Sequence, residues 1–122
     1  MNRTKFKWLG LATALASTSV AAFERYEMST STIAVVQTAI LAVLKDPDSA
    51  KFGAVGAAIS TDGSVIVCGS VNAKNSFGGY GGQMPFVGHL AGERFEVEQI
   101  AETDDEAVRI IVRCENLGAM KW

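Results

Sequence analysis

The chain has 122 residues, 11 Lys and Arg against 13 Asp and Glu, a formal net charge of −2, and 48% hydrophobic residues. That length holds one domain with a single modest core. The acidic balance excludes a nucleic-acid surface, and a lone histidine with only two cysteines excludes multi-histidine and four-cysteine metal sites.

Arg3, Lys5 and Lys7 precede an apolar stretch that runs from Trp8 into small residues ending at Ala21 and Ala22. This is the pattern of a secretory signal peptide, with Val20 and Ala22 fitting the small-residue positions of a cleavage site. Residues 1–22 are therefore read as leader and residues 23–122 as the mature domain. The stretch from Trp8 to Ala22 is shorter than the ~20 residues of a spanning helix, so no membrane span is expected after cleavage. Removing three of the 11 basic residues leaves 8 against 13 acidic ones, a net of −5. Export places the protein in the periplasm or outside the cell. In that oxidising setting Cys68 and Cys114, the only two cysteines, are expected to be bonded to each other.

After a polar lead-in, one of Ser29, Thr30 or Ser31 caps a helix running to about Lys45, with Ile33, Val36, Ile40, Val43 and Leu44 as its apolar stripe. Asp46-Pro47 stops it, because the residue before proline avoids the helical region. Residues 54–60 and 65–71 then form a hairpin around Asp62-Gly63, a pair suited to a tight turn. A third and a fourth strand are predicted from Phe86 to Leu90 and from Phe95 to Ile100. In the fourth, Phe95 and Val97, with Gln99, face one side while Glu96 and Glu98 face the other. Asp104, Asp105 and Glu106 open a second helix that ends near Gly118 and buries Ala107, Ile110, Ile111, Cys114 and Leu117. The β-rich run over 107–113 leaves a strand as the competing assignment. The expected fold is a small α+β domain: an N-terminal helix, a three- to four-stranded antiparallel sheet and a C-terminal helix, with both helices on one face.

The segments DPDSAKF (46–52), VCG (67–69) and VNAKNSFGGY (71–80), with Phe86, resemble a family of small exported proteins of bacteria and their phages. The resemblance covers about residues 44–87. It implies export and a pairing of Cys68 with a cysteine near the C-terminus, and it carries no catalytic assignment.

The region best suited to recognition is the Gly-rich loop, where Asn72, Lys74, Asn75, Phe77 and Tyr80 combine amides, an ammonium and aromatics on a tightly turned backbone. A structural role for the loop is the competing interpretation, with the asparagines bonding the backbone of a turn. Its glycines match neither the P-loop nor the dinucleotide pattern, and no cofactor motif is present. The favoured function is a non-enzymatic binding or modulator module for an envelope protein or glycan. The alternative is a small envelope hydrolase or carbohydrate-active protein using the loop with His89 and Glu93, and with Ser76 as the nucleophile of a triad. Glu96 and Glu98, two apart on a strand, superficially suit paired-carboxylate chemistry, but a solvated polar face is the favoured account of them.

Overall fold

A computed structural model describes residues 24–74 and 78–122. The predicted leader, residues 1–22, lies outside the described residues, as do Phe23, Asn75, Ser76 and Phe77. In chain order the elements are β1 (Glu24–Tyr26), α1 (Thr30–Val43), β2 (Lys51–Ile59), β3 (Val65–Asn72), β4 (Met84–Ala91), β5 (Arg94–Ile100) and α2 (Asp104–Asn116), with a 3₁₀ turn at Pro47–Ser49. The strands form one antiparallel sheet in the order β1-β2-β3-β4-β5. The α+β class therefore holds, but the sheet has five strands, not three or four. The added strand, β1, pairs only with the last three residues of β2, through Glu24 with Ile59, Arg25 with Ala58 and Tyr26 with Ala57.

Local chemistry accounts for most boundaries. Ser29 caps α1, its side chain accepting from the Thr32 N–H at 3.2 Å. The helix stops at Val43, two residues before the predicted end, and Val43 is exposed, not part of the buried stripe of Val36 and Ile40. Between β2 and β3 Gly63 takes φ +86°, and the Asp62 carboxylate accepts from the Ser64 N–H at 2.9 Å, which closes the turn. Residues 104–116 are helical. Thr103 and Glu106 form a reciprocal capping box, three acidic residues sit in the first turn, and Arg113 sits in the last. At the other end Gly118, at φ +71°, lets the Ala119 N–H reach the Cys114 carbonyl at 3.1 Å, a left-handed helix stop.

The two helices cover opposite faces of the sheet. Successive strand residues point to opposite sides, and neighbouring positions divide between two cores. Ala57, Val67 and Phe86 join Val36 and Ile40 of α1, while Ala58, Cys68 and Val87 join Ile110 and Cys114 of α2. This corrects the expectation of both helices on one face. The reason lies in the central strands: Ile66–Val71 of β3 and Pro85–Gly88 of β4 are buried without alternation, as strands covered on both sides must be. Of the predicted α2 stripe, Ile110 and Cys114 are fully buried, and Ala107 and Leu117 pack beside them.

Cys68, central in β3, is bonded to Cys114 of α2 across 46 residues of chain. The bridge pins the α2 layer to the middle of the sheet. On the other face, Phe86 and Phe95 meet edge to face with ring centroids 6.4 Å apart, and each lies over a strand glycine: Phe86 over Gly69 and Phe95 over Gly88.

Candidate functional site

The two halves of the sequence motif meet in space. After β3 the chain turns back on itself so that Lys74 and Tyr80 form an antiparallel bridge. Tyr80 donates its hydroxyl to the Ser49 carbonyl at 3.0 Å, the Lys74 N–H donates to Ser49 Oγ at 2.9 Å, and Ser49 Oγ donates to the Asp46 carbonyl at 2.8 Å. Lys51 and Lys74 place their ammonium groups 4.8 and 5.8 Å from the centroid of the Tyr80 ring, within reach of cation–π attraction. Lys74 and Tyr80, on either side of residues 75–77, are thus braced against the 46–51 segment, and Tyr80 still leaves 42% of its surface in solvent.

Of the predicted binding residues, Lys74 and Tyr80 are brought together. Asn72 is the last residue of β3, opposite Lys51, and its Oδ1 is buried without a hydrogen-bond partner among the described residues. Asn75 and Phe77 fall outside the described residues. Sequence reasoning missed Ser49 and Lys51 as members of this constellation, although the DPDSAKF segment that holds them was already half of the motif.

Beside the braced loop lies an open cleft of about 500 Å³ at one end of the layered fold. It is bounded by the end of α1, the segment Ala73-Lys74, Gly81, and the chain from Ile100 into α2. Val71, Met84 and Ile100 supply apolar surface, Lys45 and Lys74 supply cations, and Glu102 and Asp104 supply carboxylates. The size falls within the ~300–1,000 Å³ typical of small-ligand sites.

His89 occupies the opposite end of the sheet. Met84, where the loop enters β4, lies five residues from His89, or about 17 Å along a strand. His89 Nε2 is 3.1 Å from Glu96 Oε2 and its Nδ1 is 3.4 Å from Glu98 Oε1; Arg113 donates from Nη1 to Glu98 Oε2 at 2.6 Å. The histidine is therefore half exposed within an ion-pair network, not enclosed among the apolar residues that flank it in sequence. Glu93 lies in the β4–β5 turn, also at the end of the sheet away from Lys74. The constellation proposed for a hydrolase, the loop with His89 and Glu93, is not assembled, and Ser76 lies outside the described residues.

Register explains the network. Val87 pairs with Gln99 and Gly88 with Val97, so Glu98 is the extra residue of a β-bulge. Phe95 and Val97 share one face, as predicted, and pack toward α1, but the bulge sets Gln99 opposite Val87, on the α2 side. The Arg113 guanidinium holds the Glu98 carboxyl below the usual carboxylate range, with His89 adding to the effect and partial burial opposing it. A depressed folded-state pKa contributes stability above the unfolded-state value and loses it as pH falls through the folded value. The thermal midpoint is accordingly expected to drop on acidification below about pH 4.5, the ordinary glutamate value, and Glu98→Gln is expected to reduce that drop. Melting curves of both proteins at stepped pH check this; parallel profiles would remove Glu98 from the acid response.

Compared with known protein families, with curated proteins and with solved structures, the chain matches none.

Proposed function

We propose that this is an exported binding or modulator module that recognises an envelope protein or glycan through the Gly-rich loop. The observation that carries the reading is the bracing of that loop: Tyr80 and Lys74 are fixed to Ser49 while their outer surfaces stay open beside the polar-rimmed cleft. Residues held in advance, as Lys74 and Tyr80 are, lose little conformational freedom on binding, which favours recognition. Export is supported by the leader pattern of residues 1–22 and by the Cys68–Cys114 bond, a linkage that persists in oxidising compartments. Among the described residues no helix is long and apolar enough to cross a membrane.

Affinity capture from envelope extract tests the reading, with tagged wild type run beside Lys74→Ala and bound species identified by mass. Lys74 contributes its side chain to the exposed surface and its backbone N–H to the brace, so the substitution removes the ammonium and keeps the Ser49 hydrogen bond. A species retained by wild type and reduced at least several-fold by Lys74→Ala is the expected result. Equal retention, with both proteins folded, would contradict the reading.

A further inference from the structure

We infer that the open edge of β2 takes the extended C-terminal tail of a partner protein, with its free carboxylate against Lys51 and Lys74. The inference rests on the recognition reading above, chooses a protein over a glycan, and specifies which part of that protein is held.

The first observation is an unfilled place in the sheet. β2 runs from Lys51 to Ile59, but β1 covers only residues 57–59, so residues 51–56 have a strand neighbour, β3, on one side alone. Among the described residues, no backbone hydrogen bond from outside the sheet reaches this stretch. Unpaired N–H and C=O groups along an edge are a template for another strand, and here the place lies in line with β1. Exposure follows the same boundary: Lys51 and Ala54 are exposed and the other four of these residues half-buried, whereas Ala57 and Ala58, paired with β1, are buried.

The side chains leave the place open. Gly53, Ala54 and Gly56 are small, and at Gly56 the Ala119 carbonyl stands where a Cβ would point, over the sheet face and not in the plane of the edge. A bulge, Gly53 and Ala54 against Ser70 of β3, bends the middle of the edge. Ladder bonds to the incoming tail are accordingly assigned to the two ends, Lys51-Phe52 and Val55-Gly56.

The second observation fixes the direction. A segment antiparallel to β2, continuing the sense of β1, starts beside Gly56 and ends beside Lys51. At that end the Lys51 and Lys74 ammonium groups converge on the one Tyr80 ring, 4.8 and 5.8 Å from its centroid. The ion pairs of the described residues join His89, Arg94 and Arg113 to Glu96 and Glu98, and none takes Lys51 or Lys74. Two ammonium groups gathered at one ring repel each other, and an arriving carboxylate relieves that repulsion. A free C-terminus carries its charge at the end of the extended chain, where the polarity of the added strand puts it.

The experiment selects random hexapeptides with free C-termini, and the same library with the C-terminus blocked by its carrier, on the disulfide-bonded mature protein. Enriched peptides are synthesised with an acetylated N-terminus, as free acid and as amide, and titrated calorimetrically. Enrichment is expected from the free-terminus library alone, with the amide roughly ten- to hundredfold weaker than the acid, as loss of a charge-assisted contact requires. Lys51→Gln should weaken the acid and leave the amide nearly unchanged, which separates a direct contact from general loss of structure; thermal melts of the variant confirm folding. N-methylation at successive residues near the carboxylate should alternate between weakening and sparing, since every second N–H of an added strand faces β2. No enrichment from the free-terminus library, equal enrichment from both, an amide as tight as the acid, or a flat N-methylation profile would overturn the inference. If it fails while capture from extract depends on Lys74, the ligand class fails and the recognition reading stands; if capture is also insensitive to Lys74, both fail.

Discussion

Replacing Cys68 and Cys114 together by alanine is expected to lower the unfolding free energy by about 4 kcal/mol, the chain-entropy value for a closed loop of this length. For a domain of this size that corresponds to a fall in thermal midpoint on the order of 20 °C. The effect is large because domains of this class are stable by only ~5–15 kcal/mol, and a three-layer fold built from so short a chain divides its apolar residues between two small cores. Both cysteines are fully buried and pack within the α2 core, so the substitution also thins that core. Denaturant unfolding of wild type and of the double variant measures the difference. A loss below about 1 kcal/mol would show that α2 is held to the sheet by packing alone, since the predicted chain-entropy contribution would be absent.

The second large effect is expected at Gly88. A Cβ there would lie 2.5 Å from Phe95 Cζ and would also collide with the Glu96 carbonyl, a backbone atom that cannot swing aside. Gly88→Ala is predicted to cost about 2–3 kcal/mol by overpacking, and Gly88→Val more. Gly81 supplies the internal control: a Cβ at that position meets nothing within 4 Å, so Gly81→Ala should stay within about 0.5 kcal/mol of wild type. The comparison separates the packing requirement from glycine's general effect on the unfolded chain. Equal stability of the two variants would show that the Phe95 ring and its strand can move away.

The parts of the fold legible in the sequence were those decided by neighbours in the chain. The Asp62-Gly63 turn, the Ser29 cap and the start of α2 at Asp104 all depend on side chains bonding backbone a few residues away. The choice between helix and strand at 107–113 was open in sequence because Val108 and Val112 are β-branched. In the fold both face outward, 59% and 49% exposed, while Ile110 and Cys114 meet the sheet, and the capping box with its acidic first turn favours the helix. Strand β1 was hidden for the opposite reason. Glu24-Arg25-Tyr26 has no apolar alternation, and only pairing with β2 makes it a strand.

The site was legible in part on the same grounds. The loop was conspicuous because its glycines cluster, yet the brace depends on Tyr80 reaching Ser49 across 31 residues, which no local pattern encodes. Asp104 read as a helix-opening charge, and its place beside Glu102 on the rim of the cleft follows only from the order of the strands. The residues that flank His89 in sequence, Val87, Gly88 and Leu90, give no sign of its partners. Its actual partners come from the next strand and from α2, and the bulge at Glu98 that shapes the network is invisible to a strict two-residue period.

Site-specific photo-crosslinking in envelope extract tests the recognition surface most directly. The photoreactive residue is placed at position 81, on the cleft beside the loop, and in a separate protein at exposed position 61, in the β2–β3 turn at the His89 end. A discrete adduct from position 81, absent from position 61 and diminished by Lys74→Ala, is the result this account predicts. Adducts from position 61 alone, or equally from both positions, would contradict it and move the functional surface away from the Gly-rich loop.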